Sequence, residues 1–263
     1  MIWTYDKTGG PERLLPIVKV AQAKGFYDPV DEAALNEDVE APALESLAQL
    51  RRREMLNSDE RARLAVYIAT LMLRVPRRRR KARELVPSVL KDTTDKFRAR
   101  LTEWAADPNT DRARVAQRLA EVDLAEAKLA TDLPTAVHQQ IRSPWPKQQY
   151  VELIHGMTWR LLIAAGSDYF VTGDCPAYFH EAYGLGTDNA EISLPLAPDV
   201  ALHACRQGRP KELHFIDANG GLVRETNRRI VSVTERFVFC HRPTSWIPIV
   251  AAKTNPYLSR IKW

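Results

Sequence analysis

The sequence predicts an α+β fold: a mainly antiparallel sheet formed from N- and C-terminal strands, with a helical middle region over about residues 42–165. Three observations carry this reading. Short runs rich in β-branched and aromatic residues occupy the first forty positions and return after Gly166. Between them, apolar residues recur at helical spacing. Gly, Pro, Asn and Asp then divide the C-terminal runs, most clearly at Asp217-Ala218-Asn219-Gly220-Gly221. The 263 residues are read as a single domain, with a helical insertion 42–165 between N-terminal strands 1–40 and a C-terminal α+β part 166–263.

Ile2–Tyr5 alternates and is broken by Gly9-Gly10-Pro11, so it is expected to form a hairpin with a second strand at Pro16–Val20. Phe26-Tyr27-Asp28-Pro29 reads as a turn. Pro42 fits the first turn of a helix carrying Leu44, Leu47, Leu50 and Met55. Asn57-Ser58-Asp59-Glu60 is a break and N-cap, although Ser58 is followed three residues on by Arg61 rather than by the acid of a full capping box. Leu64, Tyr67, Ile68, Leu71, Met72 and Val75 form one apolar face, which Pro76 interrupts or kinks. Leu85, Val86, Val89, Leu90, Phe97, Leu101 and Trp104 form another stripe. After the loop Asp107-Pro108-Asn109-Thr110, a helix with Val115, Leu119, Val122, Ala125 and Leu129 is expected to end near Pro134. A rigid connector, Arg142-Ser143-Pro144-Trp145-Pro146, leads to a last helix over about Lys147–Ala165, apolar on more than one face. Strands are expected at Tyr169–Thr172, Glu191–Leu196, Val200–Ala204, Leu213–Ile216 and Phe237–Cys240, with a helix over 222–235.

The formal charge of +5 conceals an asymmetry. Residues 51–100 hold 16 Lys or Arg against 6 Asp or Glu, whereas the remainder holds 22 against 27. Clustered cations attract phosphate and release its counterions, so a polyanionic partner, nucleic acid first, is expected. The candidate contacts are Arg77, Arg78, Arg79, Arg80 and Lys81. Neighbours on a helix are about 100° apart, so at least two of the four adjacent arginines must face solvent or a partner. Trp3, Tyr5, Phe26 and Tyr27 would suit base stacking, but core packing outweighs it.

The composition excludes several classes. Three well-separated cysteines, Cys175, Cys205 and Cys240, make neither a disulfide framework nor a zinc site, and a cytoplasmic location is expected. The start lacks a basic leader followed by an apolar run, and stretches such as Leu161–Ala165 are too short to cross a bilayer, so no membrane is expected. Phosphate-binding glycine loops, nucleophile elbows and paired metal-binding histidines are all missing.

One acidic position stands out. Tyr169-Phe170-Val171-Thr172 delivers Asp174 to a turn that Pro176 closes, where a carboxylate would hold a metal, a cation or a proton. The plainer reading is an Asp capping its own turn. Glu191 follows on the next strand candidate. An Asp and then an acid two residues before a Lys would suggest a metal-dependent nuclease with a divalent ion, but Ser193 stands where the Lys would be.

Taken in order, several short motifs resemble a mostly bacterial family catalogued as domain of unknown function 4238. They are Ile2-Trp3-Thr4-Tyr5-Asp6-Lys7, Gly25-Phe26-Tyr27, Arg74-Val75-Pro76, Gly173-Asp174-Cys175-Pro176, Pro195-Leu196-Ala197-Pro198, and Asn227 ahead of Val238. The family's opening H-Y-V-P segment has no counterpart, and Gly173 and Ala197 stand where its pattern has Ser. The resemblance implies site roles for Asp174, Arg74 and Asn227. If a leading strand is missing, Ile2–Tyr5 would be an open sheet edge, and a homodimer is expected.

The leading expectation is a hydrolase acting on a phosphate-rich substrate, nucleic acid first. Asp174 would be the base or metal ligand, Arg74 would bind phosphate, Asn227 would orient substrate or water, and Arg77–Arg80 would steer the polyanion. Two alternatives stand beside it: a non-catalytic nucleic-acid-binding or regulatory module using segment 51–100, and a protein-interaction module with an acidic partner.

Overall fold

The computed structural model describes residues 1–20, 29–142, 145–180, 184–252 and 261, with the side chains of 18, 76–79, 81–83, 85–86 and 133–142 outside the description. The expected turn and F-Y motif at Gly25-Phe26-Tyr27-Asp28, part of the 142–146 connector, and the side chains of Arg77, Arg78, Arg79 and Lys81 fall outside the described residues. The chain forms two compact units: Met1–Pro76 together with Pro144–Trp263, and the inserted Arg77–Ser143.

The first unit holds two sheets. One has the order β2-β1-β9-β4, from β1 (Ile2–Asp6), β2 (Arg13–Leu15), β4 (Thr172–Gly173) and β9 (Phe237–Cys240). N- and C-terminal strands therefore share one sheet, as expected; within it the chain's first strand pairs with its last, and all pairings are antiparallel. Two details differ. The second strand lies at Arg13–Leu15, ahead of Pro16, and a 3-10 turn occupies Ile17–Lys19; Pro16 offers no N–H to a ladder. β1 is not an edge: it is hydrogen-bonded to β2 on one side and β9 on the other. Ile2–Tyr5 therefore offers no open edge for a second chain to pair with.

The other sheet has the order β5-β6-β7-β3-β8, from β3 (Thr158–Ala164), β5 (Tyr178–Phe179), β6 (Glu191–Ala197), β7 (Val200–Cys205) and β8 (Leu213–Ala218). β3 and β8 are parallel; the other neighbours are antiparallel. β3 corrects the expected helix over 147–165. The helix, α6, covers only Gln148–Gly156, and the chain extends from Met157. Thr158, Trp159 and Ile163 favour a strand. Because the strand is central, Trp159 and Leu161 pack on one side of the sheet and Leu162 on the other. A run apolar on both faces carries no period that distinguishes strand from helix.

One face of this sheet packs against α2 (Ala41–Arg51), α3 (Ser58–Leu73) and α6 through Ala43, Leu50, Leu64, Ile68, Val151 and Ile154. Helix begins earlier than Pro42 predicts, at α1 (Pro29–Leu35), and continues through a π turn at Asn36–Glu40 into α2, with Pro42 in that helix's first turn. α3 starts with Asn57 as N-cap rather than Ser58. Asn57 Oδ1 accepts from the Asp59 and Glu60 amides, and the Glu60 carboxylate accepts from the Asn57 amide, a full capping box where none was expected, centred one residue ahead of Ser58. Arg61 is buried over the Trp159 ring, its guanidinium donating to the carbonyls of His155 and Met157; burial pushes its pKa down to about 10. The opposite face receives α7 (Gly220–Val233), capped by Asn219, whose side chain accepts from Leu222 N. A short helix, α8 (Trp246–Ala251), packs beside Tyr5, Val231 and Val238.

The second unit consists of α4 (Pro76–Ala105) and α5 (Arg112–Arg142). α3 stops at Leu73 and Pro76 opens α4, so the proline separates two helices rather than kinking one. α4 runs through Pro87, and α5 passes the expected stop at Pro134. Asp111 caps α5 by accepting from the amides of Ala113 and Arg114. Arg98 reaches across the pair to Asp123 at 2.7 Å and to Glu126, while Thr94 donates to Glu126. Among the described residues, no helix is long and apolar enough to cross a membrane.

Candidate functional site

Three of the stretches that carry the sequence resemblance, residues 2–7, residues 173–176 and the α7–β9 segment, meet at one place, the turn Thr234–Phe237 between α7 and β9. A helix end leaves its last carbonyls without partners, and a turn leaves amides bare. Lys7 Nζ donates to the carbonyls of Val231 and Thr234, each at 2.7 Å, and so caps the C-terminus of α7 with a cation. The Asp174 carboxylate accepts three backbone N–H groups: Glu235 at 2.8 Å, Arg236 at 2.8 Å and Phe237 at 3.0 Å. Its own amide donates to Phe237 O, and the Lys7 amide donates to Arg236 O. Asp6 pairs with the Arg236 side chain at 2.9 Å. Thr8, through hydroxyl and amide, and then Arg236, hold the Asp6 carboxyl below its usual pKa. Tyr5 Oη accepts from Thr244 N.

Asn227 belongs to the same assembly. From the middle of α7 its Oδ1 accepts from Val171 N and its Nδ2 donates to Tyr169 O, which straps the extended segment leading to Asp174. Arg74 stands elsewhere. It is the C-cap of α3, and its guanidinium pairs with Glu40 at 2.5 Å and Glu32 at 3.1 Å. The described partners of Asp174 and Asn227 and those of Arg74 have no residue in common.

Glu191 lies on the α7-facing side of the five-stranded sheet. It pairs at 2.9 Å with Arg229 of α7, and both side chains are buried, at 3% and 1% exposure. Arg229 also meets Glu225 at 3.5 Å, Ser193 Oγ at 3.3 Å and the face of Tyr178. Ser193 Oγ lies 3.4 Å from His203 Nδ1, with both residues fully buried. A buried Arg is tolerated when paired and hydrogen-bonded, and this network locks α7 to the sheet. Neither Arg229 nor His203 is marked by periodicity, because their partners lie on other elements.

Among the described residues no group of three or more His, Cys, Asp or Glu is placed to hold a metal ion. A cavity of about 520 Å³ opens beside the Gly9-Gly10-Pro11 turn, walled by Tyr5, Glu12, Ile247 and Ala251.

The helical unit presents a different surface. It carries 15 Lys or Arg against 10 Asp or Glu, and the rest of the chain carries 23 against 23, so the whole net charge of +5 resides on Arg77–Ser143. Arg80 is exposed, with Glu84 one turn on at 3.7 Å. Lys96, Arg100, Arg112 and Arg114 are exposed and make no ion pair among the described residues. Phe97 and Trp104 of α4 are 53% and 51% exposed. Both belong to the apolar stripe expected on this helix, whereas the aromatics weighed for stacking, with core packing favoured, lie near the N-terminus. There Tyr5 is buried and Trp3 packs against the same cluster.

Comparison with known families finds one described as "Protein of unknown function (DUF4238)", whose model matches residues 1–244. No curated protein and no solved structure matches the chain.

Proposed function

The chain belongs to the DUF4238 family, and from that premise we propose that it is a nucleic-acid-binding module whose contact surface is the basic helical unit and whose α+β body is the scaffold. The observation that carries this reading is the distribution of charge: a net +5 on Arg77–Ser143 and zero on the remainder. A surplus of cations on one compact unit attracts phosphates at long range, and binding then releases counterions. The arrangement of Asp174, Asn227 and Arg74 supports binding rather than hydrolysis. Asp174 spends its oxygens on three amides, Asn227 spends both ends of its amide on the 169–171 backbone, and Arg74 is neutralised by two carboxylates. A general base needs a lone pair aimed at substrate. The three cysteines are buried and none is in a disulfide, which suits action in a reducing cytoplasm.

The test is salt-dependent binding of the full chain to labelled DNA and RNA. Affinity should fall linearly on a log–log plot of salt, with a slope of about −0.9 per phosphate contact on a duplex. Replacing Arg77, Arg78, Arg79 and Arg80 together with Ala should weaken binding about tenfold or more at low salt. Unchanged affinity in that variant, or binding insensitive to salt, would remove the proposal. The hydrolase reading is tested alongside: nucleic-acid turnover with a divalent ion, lost in Asp174→Asn, would reinstate it. An acidic protein bound in preference to nucleic acid would favour the interaction-module reading.

A further inference from the structure

We propose that the helical unit selects single-stranded over double-stranded nucleic acid, by stacking unpaired bases on Phe97 and Trp104 of α4. This deepens the nucleic-acid reading above and rests on it.

The inference starts from helix geometry. Val89, Thr93, Lys96, Phe97, Arg100 and Trp104 fall on one side of α4, at successive spacings of three, four or one residue, and each is exposed. This stripe lies beside the face turned toward α5, which carries Thr94, Arg98 and Leu101. Phe97 and Trp104 are seven residues apart, so their rings emerge from the same side about 10.5 Å apart along the axis. Arg100 sits between them, three residues after Phe97 and four before Trp104. No acid falls between the two rings: Asp95 is drawn to Lys91 and Arg98, Asp92 lies outside the stripe, and Glu103 borders it on the Lys96 side, away from Phe97 and Trp104.

Two half-exposed aromatic rings seven residues apart leave apolar area in water that a partner would recover on binding. The charge on the same face identifies that partner. A two-fold copy of this surface would set Lys96 and Arg100 against the cations of its mate, whereas a strand of phosphates is complementary to them. A duplex hides its base faces in the stack and offers an aromatic ring only groove edges and backbone. A single strand offers a π face at each nucleotide. Charge alone would favour the duplex, which carries a phosphate per about 1.7 Å of axis. Preference for the single strand is therefore a signature of stacking and not of electrostatics.

The experiment measures the full chain against a fluorescein-labelled 20-nucleotide oligothymidine and the duplex of the same strand with oligodeoxyadenosine, at equal ionic strength. The wild-type chain should bind the single strand more tightly. Phe97→Ala with Trp104→Ala should lower single-strand affinity about tenfold or more and leave duplex affinity within about twofold, since each lost ring removes a stacked base. Both side chains are exposed, so the variant should keep its circular dichroism and melting temperature. Equal affinity of the wild type for the two ligands would overturn the inference, as would an equal loss on both in the variant; in either case salt-dependent binding itself survives. Absence of binding to either ligand would overturn the underlying reading as well. A wild-type dimer that becomes a monomer in the variant, by sedimentation velocity, with oligothymidine binding unchanged, would show that these rings meet a second copy instead.

Discussion

At Asp174 the question is whether a carboxylate serves the fold or a reaction. Three amides of a segment 61 to 63 residues away point at its two oxygens. An ionised carboxylate accepting backbone N–H groups makes charge-assisted bonds, stronger than neutral ones. Asp174→Ala is therefore expected to destabilise the protein by about 2–3 kcal/mol, through the amides left without partners. Urea denaturation measures it; a midpoint unchanged from wild type would show that the turn holds without the carboxylate. The plain reading of Asp174 as a turn cap was right in kind. Its expected target, the amides just downstream, was wrong, because the turn it caps belongs to another part of the chain.

Between β4 and α7 the contact is close enough to dictate the residue. A Cβ built on Gly173 would lie 2.1 Å from Thr234 Oγ1 and 3.1 Å from both Thr234 Cβ and Phe237 O. Thr234 fills the space beside Gly173, and its hydroxyl donates to Ile230 O. Gly173→Ser should lower stability by about 1–3 kcal/mol by overpacking. Thr234→Ala in the same chain should recover part of that loss, so the two changes should be non-additive in a double-mutant cycle. Additive effects would mean that the strand shifts and the contact is relieved elsewhere. Other elements show how far local signals reach. The runs at 191–196, 200–204, 213–216 and 237–240 all form strands, since alternation and flanking turn residues act locally. Residues 158–164 were misread because a central strand is apolar on both faces.

The whole molecule divides by charge as well as by contact. Helices α4 and α5 bury few of their described side chains, Thr94 and Val115 among them, while the remaining unit has its own clusters around Trp159, Tyr5 and Leu162. A chain in which a flexible Gly/Ser linker replaces Arg77–Ser143 is therefore expected to fold cooperatively, because the remaining unit has hydrophobic clusters built from its own described residues. It should also lose salt-sensitive nucleic-acid binding, together with the entire net charge. Thermal unfolding and fluorescence anisotropy read the two outcomes. A deletion variant that still binds with wild-type affinity would place the ligand contact on the body.

Sequence alone determined the α+β class, the sharing of one sheet by N- and C-terminal strands, the helical middle and the excess of cations over residues 51–100. These follow from periodicity, turn chemistry and composition, which neighbouring residues set among themselves. Only the tertiary structure decided what the conspicuous polar residues hold. Lys7 reaches α7, Asp174 reaches the turn after it, Asn227 reaches back to Val171, and Arg229 buries its charge against Glu191. Each bond joins groups tens or hundreds of residues apart, and a buried donor or acceptor is satisfied by whatever the fold brings within about 3 Å of it. The exposure of Phe97 and Trp104 was hidden for a related reason. A helical stripe states which residues share a side, and packing alone decides whether that side is covered.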